Sequence, residues 1–122
     1  METLDENASV ISASKVTGTN VYNTDGDQLG EIHDVMLDKR SGKIAYAVMS
    51  FGGFLGIGER YHPLPWATLK YDTRQEGYVV GLTIDQLMGA PTYAANELPT
   101  WGDRAYETRI HDYYKMAPYW GV

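Results

Sequence analysis

Cysteine is absent from the 122 residues, which excludes disulfides, thiol nucleophiles and every thiolate-bound metal site. Basic charge is scarce. Ten Lys and Arg stand against sixteen Asp and Glu, for a formal net charge of −6. Glu2, Asp5 and Glu6 place three negative charges ahead of the first lysine, Lys15. An acidic chain with scattered bases matches neither a phosphate backbone nor an anionic membrane surface, so direct nucleic-acid binding is not expected. No apolar run approaches the roughly 20 residues that cross a bilayer as a helix. The opening Met-Glu-Thr-Leu-Asp-Glu-Asn has neither the basic nor the apolar region of a secretory signal, so the expected location is the cytoplasm. Internal repeats and low-complexity segments are missing as well.

What remains is an ordinary globular composition, 43% hydrophobic and 21% charged, long enough for one core and one domain. Residues 1 to about 12 are polar and acidic and read as a flexible tail. Ser14–Gly18 has the makings of one helical turn closed by glycine. Strand-like runs then alternate with turn residues. Thr19–Asn23 is followed by Asp25-Gly26, Gln28–Lys39 by Ser41-Gly42, and Lys43–Phe51 by Gly52-Gly53. Glu59–Pro65, Thr68–Asp72 and Tyr78–Leu82 complete about six strands. No helical spacer suits a parallel crossover, so the pattern predicts a mostly antiparallel sheet. Lys43–Phe51 is apolar on both alternation faces, so something covers its outer side. Alternation slips in Gln28–Lys39, which predicts a β-bulge near Asp34, as where a sheet bends into a barrel.

The last third changes character. Thr83–Gly89 reads as one or two helical turns capped by Thr83 and stopped by Gly89, and Ala90–Pro99 as a loop. Thr100, with Asp103 three residues on, offers a weakened capping box. Tyr106, Ile110, Tyr113 and Tyr114 recur at helical spacing, with Arg104, Glu107, Arg109 and Asp112 opposite, which predicts an amphipathic helix over 103–114 with a solvated charged face. Seven of the fifteen aromatic residues lie within 91–122. Such a segment must cover something, its own sheet or a neighbouring subunit.

Catalytic constellations are hard to find. The Gly-rich run Gly52-Gly-Phe-Leu-Gly-Ile-Gly58 lies between two strands, with neither the Gly-Lys-Ser/Thr nor the following helix of a phosphate loop. It reads as a hairpin connection whose Phe54, Leu55 and Ile57 suit a protein contact. His33, His62 and His111 sit in separate elements without paired spacing, so no metal site and no cofactor are expected. Asp34 and Asp38, four apart on one strand, have a spacing that could serve glycosidic or phosphoryl chemistry, but such a pair at a strand end more often caps turns or binds solvent cations weakly. Asp25 and Asp27 flank Gly26 as turn formers. Trp66 reads as a core or barrel-plug residue.

Ser50-Phe-Gly-Gly-Phe-Leu-Gly-Ile-Gly-Glu-Arg-Tyr-His-Pro-Leu-Pro-Trp66 resembles a known family, the PRC-barrel domain, in its small stand-alone bacterial form. Gly18-Thr-Asn-Val-Tyr-Asn-Thr-Asp-Gly-Asp-Gln-Leu-Gly-Glu-Ile-His-Asp-Val-Met-Leu-Asp38 is similar to the start of that domain, and Gly42-Lys-Ile-Ala-Tyr-Ala-Val-Met-Ser50 to its next strand. The resemblance implies a mainly β fold, a small, strongly bent antiparallel barrel over residues 14–90. The acidic tail 1–13 precedes it and an aromatic-rich helical extension, 91–122, follows. Relatives include the cytoplasmic domain of the photosynthetic reaction centre H subunit and the C-terminal domain of a ribosome maturation factor. This chain has neither the membrane helix of the first nor the additional N-terminal domain of the second.

What the resemblance implies of function is a non-catalytic adaptor or assembly module, self-associating, with an unidentified protein partner. Phe54, Leu55, Ile57, Tyr113 and Trp120 are the expected contact residues. One alternative is a small-molecule binder or enzyme with a cleft between barrel and helix, where Tyr106, Tyr113 and Asp34 would act. Another is ribosome or RNA-processing association through a protein contact. No catalytic residue carries over.

Overall fold

A computed structural model describes residues 10–51, 60–94, 96–97 and 99–120 of the chain. A single turn, α1 (Ala13–Val16), leads into β1 (Asn20–Tyr22). Asn23 Oδ1 then accepts the backbone N–H of Asp25 and of Asp27, both at 2.9 Å, an Asx-type turn that reverses the chain into β2 (Gln28–Leu37). The next reversal uses Asp38, whose carboxylate accepts from the Ser41 hydroxyl at 2.7 Å. That bond, ahead of the backbone N–H groups of Ser41 and Arg40, holds its pKa below the usual carboxylate range. β3 (Ile44–Phe51) and β4 (Arg60–Pro65) follow, then a 3-10 turn (Trp66–Thr68), β5 (Lys70–Asp72) and β6 (Gly77–Val79).

These strands form one sheet, in the order β5-β6-β1-β2-β3-β4, with a seventh short strand, β7 (Tyr93–Ala94), added beyond β4. The sheet cannot be flat. From β5 to β4 it would span roughly 24 Å at about 4.8 Å per strand. Yet the chain passes from Pro65 to Lys70 in five residues, which reach at most about 18 Å fully extended. The sheet must therefore curl until its ends approach, and Trp66 packs edge-on against Tyr78 of β6 with ring centroids 5.5 Å apart. No pairing joins β5 to β4 or β7 among the described residues, so the result is bent and barrel-like rather than closed.

The expected mainly β, strongly bent architecture with a C-terminal helix is what the structure shows, with four differences in detail. One pair, β1 with β6, is parallel, because the intervening strands themselves carry the chain around the sheet. β7 falls inside the segment read as a loop. The strand expected from Thr68 starts at Lys70, since Trp66–Thr68 tightens into a 3-10 turn, and the strand expected from Tyr78 is Gly77–Val79. The expected bulge is present: Ile32 faces Met49 and Asp34 faces Val48, leaving His33 as the extra residue. At Gly30, just before it, an added Cβ would lie 1.9 Å from the Ser50 carbonyl oxygen, so β2 and β3 approach there as only glycine allows.

β3 is buried on both sides. Ala47 and Met49 pair with Leu64 and His62 of β4, and Met49 with Ile32 of β2. Cross-strand partners share a face, so these line the inside of the curl, and all are nearly inaccessible. Tyr46 and Val48 point the other way. That outer side is covered by α3 (Arg104–Tyr114), which packs against β4, and by the chain around Trp101 and Tyr119. The aromatic segment thus covers its own sheet.

Candidate functional site

The sequence separates Tyr46 from Glu107 by 61 residues and from His111 by 65, but the fold puts all three in contact. Glu107 and His111 are one helical turn apart on α3 and share the face turned to β3. The Tyr46 hydroxyl donates to Glu107 Oε1 at 2.8 Å and lies 2.8 Å from His111 Nε2. Since the single phenol proton goes to the carboxylate, His111 donates from Nε2 back to the Tyr46 oxygen. Its Nδ1 is buried too, facing the backbone of Met116 and Ala117. The second carboxylate oxygen accepts the Gly102 N–H at 2.5 Å. Gly102 adopts φ +93°, a backbone state that favours glycine, just ahead of the helix.

Glu107 is 1% exposed and His111 3%. A carboxylate that deep is stable only because its oxygens are hydrogen-bonded. Burial raises the pKa of Tyr46 well above the usual phenol range, reinforced by its bond to Glu107. Burial lowers that of His111, opposed by the backbone of Met116 and the charge of Glu107. Trp101 and Tyr119 close over Tyr46, and Trp120 meets the His111 ring at 5.4 Å. Arg104 lies 4.1 Å over the Trp120 ring. The three polar groups are buried together, and the arrangement fixes the rotation and register of α3 on the sheet.

Glu107 is therefore not on the solvated face expected of it. Hydrophobicity assigned the buried stripe to Tyr106, Ile110, Tyr113 and Tyr114, whereas the buried positions are Glu107, Ile110, His111 and Tyr114. The cap also moves by three residues. Asp103, not Thr100, is the N-cap, accepting from the Ala105 N–H at 2.9 Å. α2 (Ile84–Met88), by contrast, begins at Thr83 in a full capping box with Gln86 and ends at Gly89, as the sequence indicates.

A second cluster lies at the bulge. His33 stacks on Tyr61 at 4.3 Å, and Tyr61 meets Tyr93 at 5.5 Å. Tyr93 is pushed up to about 12 by burial first, then by the nearby Tyr106, Asp34 and Tyr61. Asp34 and Tyr106 thus gather near Tyr93. Tyr113 does not join them. It lies two turns further along α3 from Tyr106, 37% exposed, and donates from its hydroxyl to the Gln86 carbonyl of α2 at 2.5 Å. The three residues proposed for a cleft are consequently split. Asp34 and Asp38 are split too, because one sits at the bulge and the other caps its own turn.

The histidines occupy three places: His33 on the outer surface, His62 inside the curl and His111 beneath α3. Among the described residues no group of three or more His, Cys, Asp or Glu is arranged to hold a metal ion. His62 is 1% exposed, packs edge-on to Phe51, and is pushed down to about 4 by burial, with Arg60 adding to the effect. Trp66 is half-buried on its 3-10 turn. Phe54, Leu55 and Ile57 lie outside the described residues, and so does most of the expected acidic tail. Trp120 is half-buried under Arg104.

No helix among the described residues is long and apolar enough to cross a membrane. No curated protein matches the chain. The family model of the PRC-barrel domain matches residues 9–87.

Proposed function

Because the chain belongs to the PRC-barrel domain family, we propose that it works as a non-catalytic adaptor, holding protein partners together rather than transforming a substrate. The domain is a general interaction and assembly module. One contrast in this chain carries the reading. Four groups fit for acid–base chemistry, Tyr46, Glu107, His111 and His62, are 3% exposed or less, while large apolar side chains stand in the open, Met88 at 71% and Ile84 at 45%. The molecule offers apolar contact surface and buries this polar cluster.

Phe54, Leu55 and Ile57, in the stretch of chain between the paired ends Phe51 and Arg60, are the proposed contact residues, together with Tyr113 and Trp120. The adaptor acts in the cytoplasm and self-associates. The test is sedimentation of the full chain with and without F54S/L55S. Loss of association in the variant, with an unchanged thermal transition, is the expected result; association at the wild-type level in the variant would remove these residues from the contact.

A further inference from the structure

At the end of the sheet where β1 turns into β2, an open groove separates that turn from the segment entering α2. Thr24, Asp25 and Asp27 form one wall, and Leu82, Ile84 and Asp85 the other. No Lys or Arg lines it. The Asp25 and Asp85 carboxylates have no hydrogen bond or ion pair among the described residues, and Asp27 accepts only a long 3.4 Å contact from the Asn23 amide. Next to this charge runs an apolar ridge. Ile84 and Met88 are four residues apart on α2, so they share one face, 45% and 71% exposed. Tyr113, 37% exposed, extends the ridge, tied to α2 through the Gln86 carbonyl. The capping box anchors α2 through Thr83 and Gln86, and Leu87 is buried, so Ile84 and Met88 are not needed to hold the helix in place.

Three carboxylates without a base, set against an exposed apolar ridge, select for positive charge next to apolar surface. A second copy of this face would bring three more carboxylates. The N-terminal residues Glu2, Asp5 and Glu6 are acidic too. Both would be repelled. We propose that the groove and ridge dock a cationic amphipathic segment of a partner protein. Its apolar side lies on Ile84 and Met88, and its Lys or Arg side chains reach Asp25, Asp27 and Asp85. The proposal deepens the adaptor reading and rests on it for the partner being a protein.

The test uses the full chain and a fluorescent amphipathic peptide of about 18 residues, Leu on one face and Lys on the other, read by anisotropy. Binding should weaken at least about tenfold in D25N/D27N/D85N, weaken as well in I84S/M88S, and fall with rising salt. The F54S/L55S variant should bind the peptide like the wild type. The same peptide with Glu for Lys should not bind. Backbone amide shifts on binding should centre on residues 23–27 and 81–88. The proposal falls if the charge-neutralised variant binds as wild type, if the Glu peptide binds equally, or if the shifts lie elsewhere. It falls equally if I84S/M88S dissociates a dimer of this chain, because the ridge would then belong to a second copy. Loss of peptide binding alongside intact association would discard the groove and keep the adaptor. Intact peptide binding without any protein association would do the reverse.

Discussion

On the inner side of β3, Ala47 and Met49 meet Leu64 and Ile32 from neighbouring strands, and none of these side chains has a polar atom to satisfy. On the outer side, Tyr46 meets Glu107 and His111, more than 60 residues away in the chain, and a hydrogen bond at a defined distance joins it to each. The two faces solve different problems. Strands joined by tight turns are brought together by the turns, and apolar burial then suffices because pairing already fixes the register. A helix returning from far along the chain could settle on an apolar surface in several rotations. A buried polar trio has one geometry that satisfies it, and the others leave a carboxylate unpaired.

Breaking the inner face should have the largest effect. Leu64→Ala leaves a cavity in a fully buried site and should cost roughly 3–4 kcal/mol, lowering one cooperative transition followed by urea titration. If α3 instead melted separately while the sheet stayed folded, the assignment of Leu64 to the common core would be wrong.

The polar exception on that face, His62, should make stability pH-dependent. Its folded pKa of about 4 lies below the ordinary 6.5, so the unfolded chain binds the proton more readily. Stability is then complete above about pH 6.5 and falls as the pH drops towards 4, by at most about 3 kcal/mol. Chemical denaturation at pH 7 and pH 4.5, in wild type and His62→Met, checks this; an equal loss in both would assign the effect to other groups.

On the outer face, Glu107→Ala removes the acceptor of the buried Tyr46 hydroxyl and of the Gly102 N–H and should cost about 2 kcal/mol. The loss should be local. Hydrogen exchange should accelerate across α3 and leave β2 and β3 protected. Uniform acceleration would mean that both faces unfold as one unit and would erase the contrast. The smallest effect is expected for Tyr113→Phe, which removes one partly exposed hydrogen bond to Gln86 and should cost about 0.5–1 kcal/mol in thermal unfolding.

Legibility in the sequence followed the same division. Asp25-Gly26, Ser41-Gly42 and the alternating run of β3 announced the hairpins, and the slip near Asp34 announced the bulge at His33. Thr83 and Gly89 marked α2 because capping is decided within a few residues. The phase of α3 was not legible. A hydrophobic stripe counts Glu107 and His111 as surface, and nothing near them in the chain reveals that Tyr46 and the Gly102 N–H wait opposite. Tyr113, which hydrophobicity sends inward, stays at the surface for the same reason. The one clue was the unusual apolarity of both faces of Lys43–Phe51, which required a cover without saying which residues supplied it.

The sequence by itself determined the turns, most of the strands between them, the bulge and the presence of a helix at the end, because each depends on backbone preferences and spacing over a handful of residues. Tertiary structure alone decided the parallel pairing of β1 with β6, the addition of β7 beside β4, the inward turn of Glu107 and the exposure of Ile84 and Met88 beside three carboxylates. Those depend on which distant surfaces meet, and the free energy of burying or exposing a group is set by the partner it finds there.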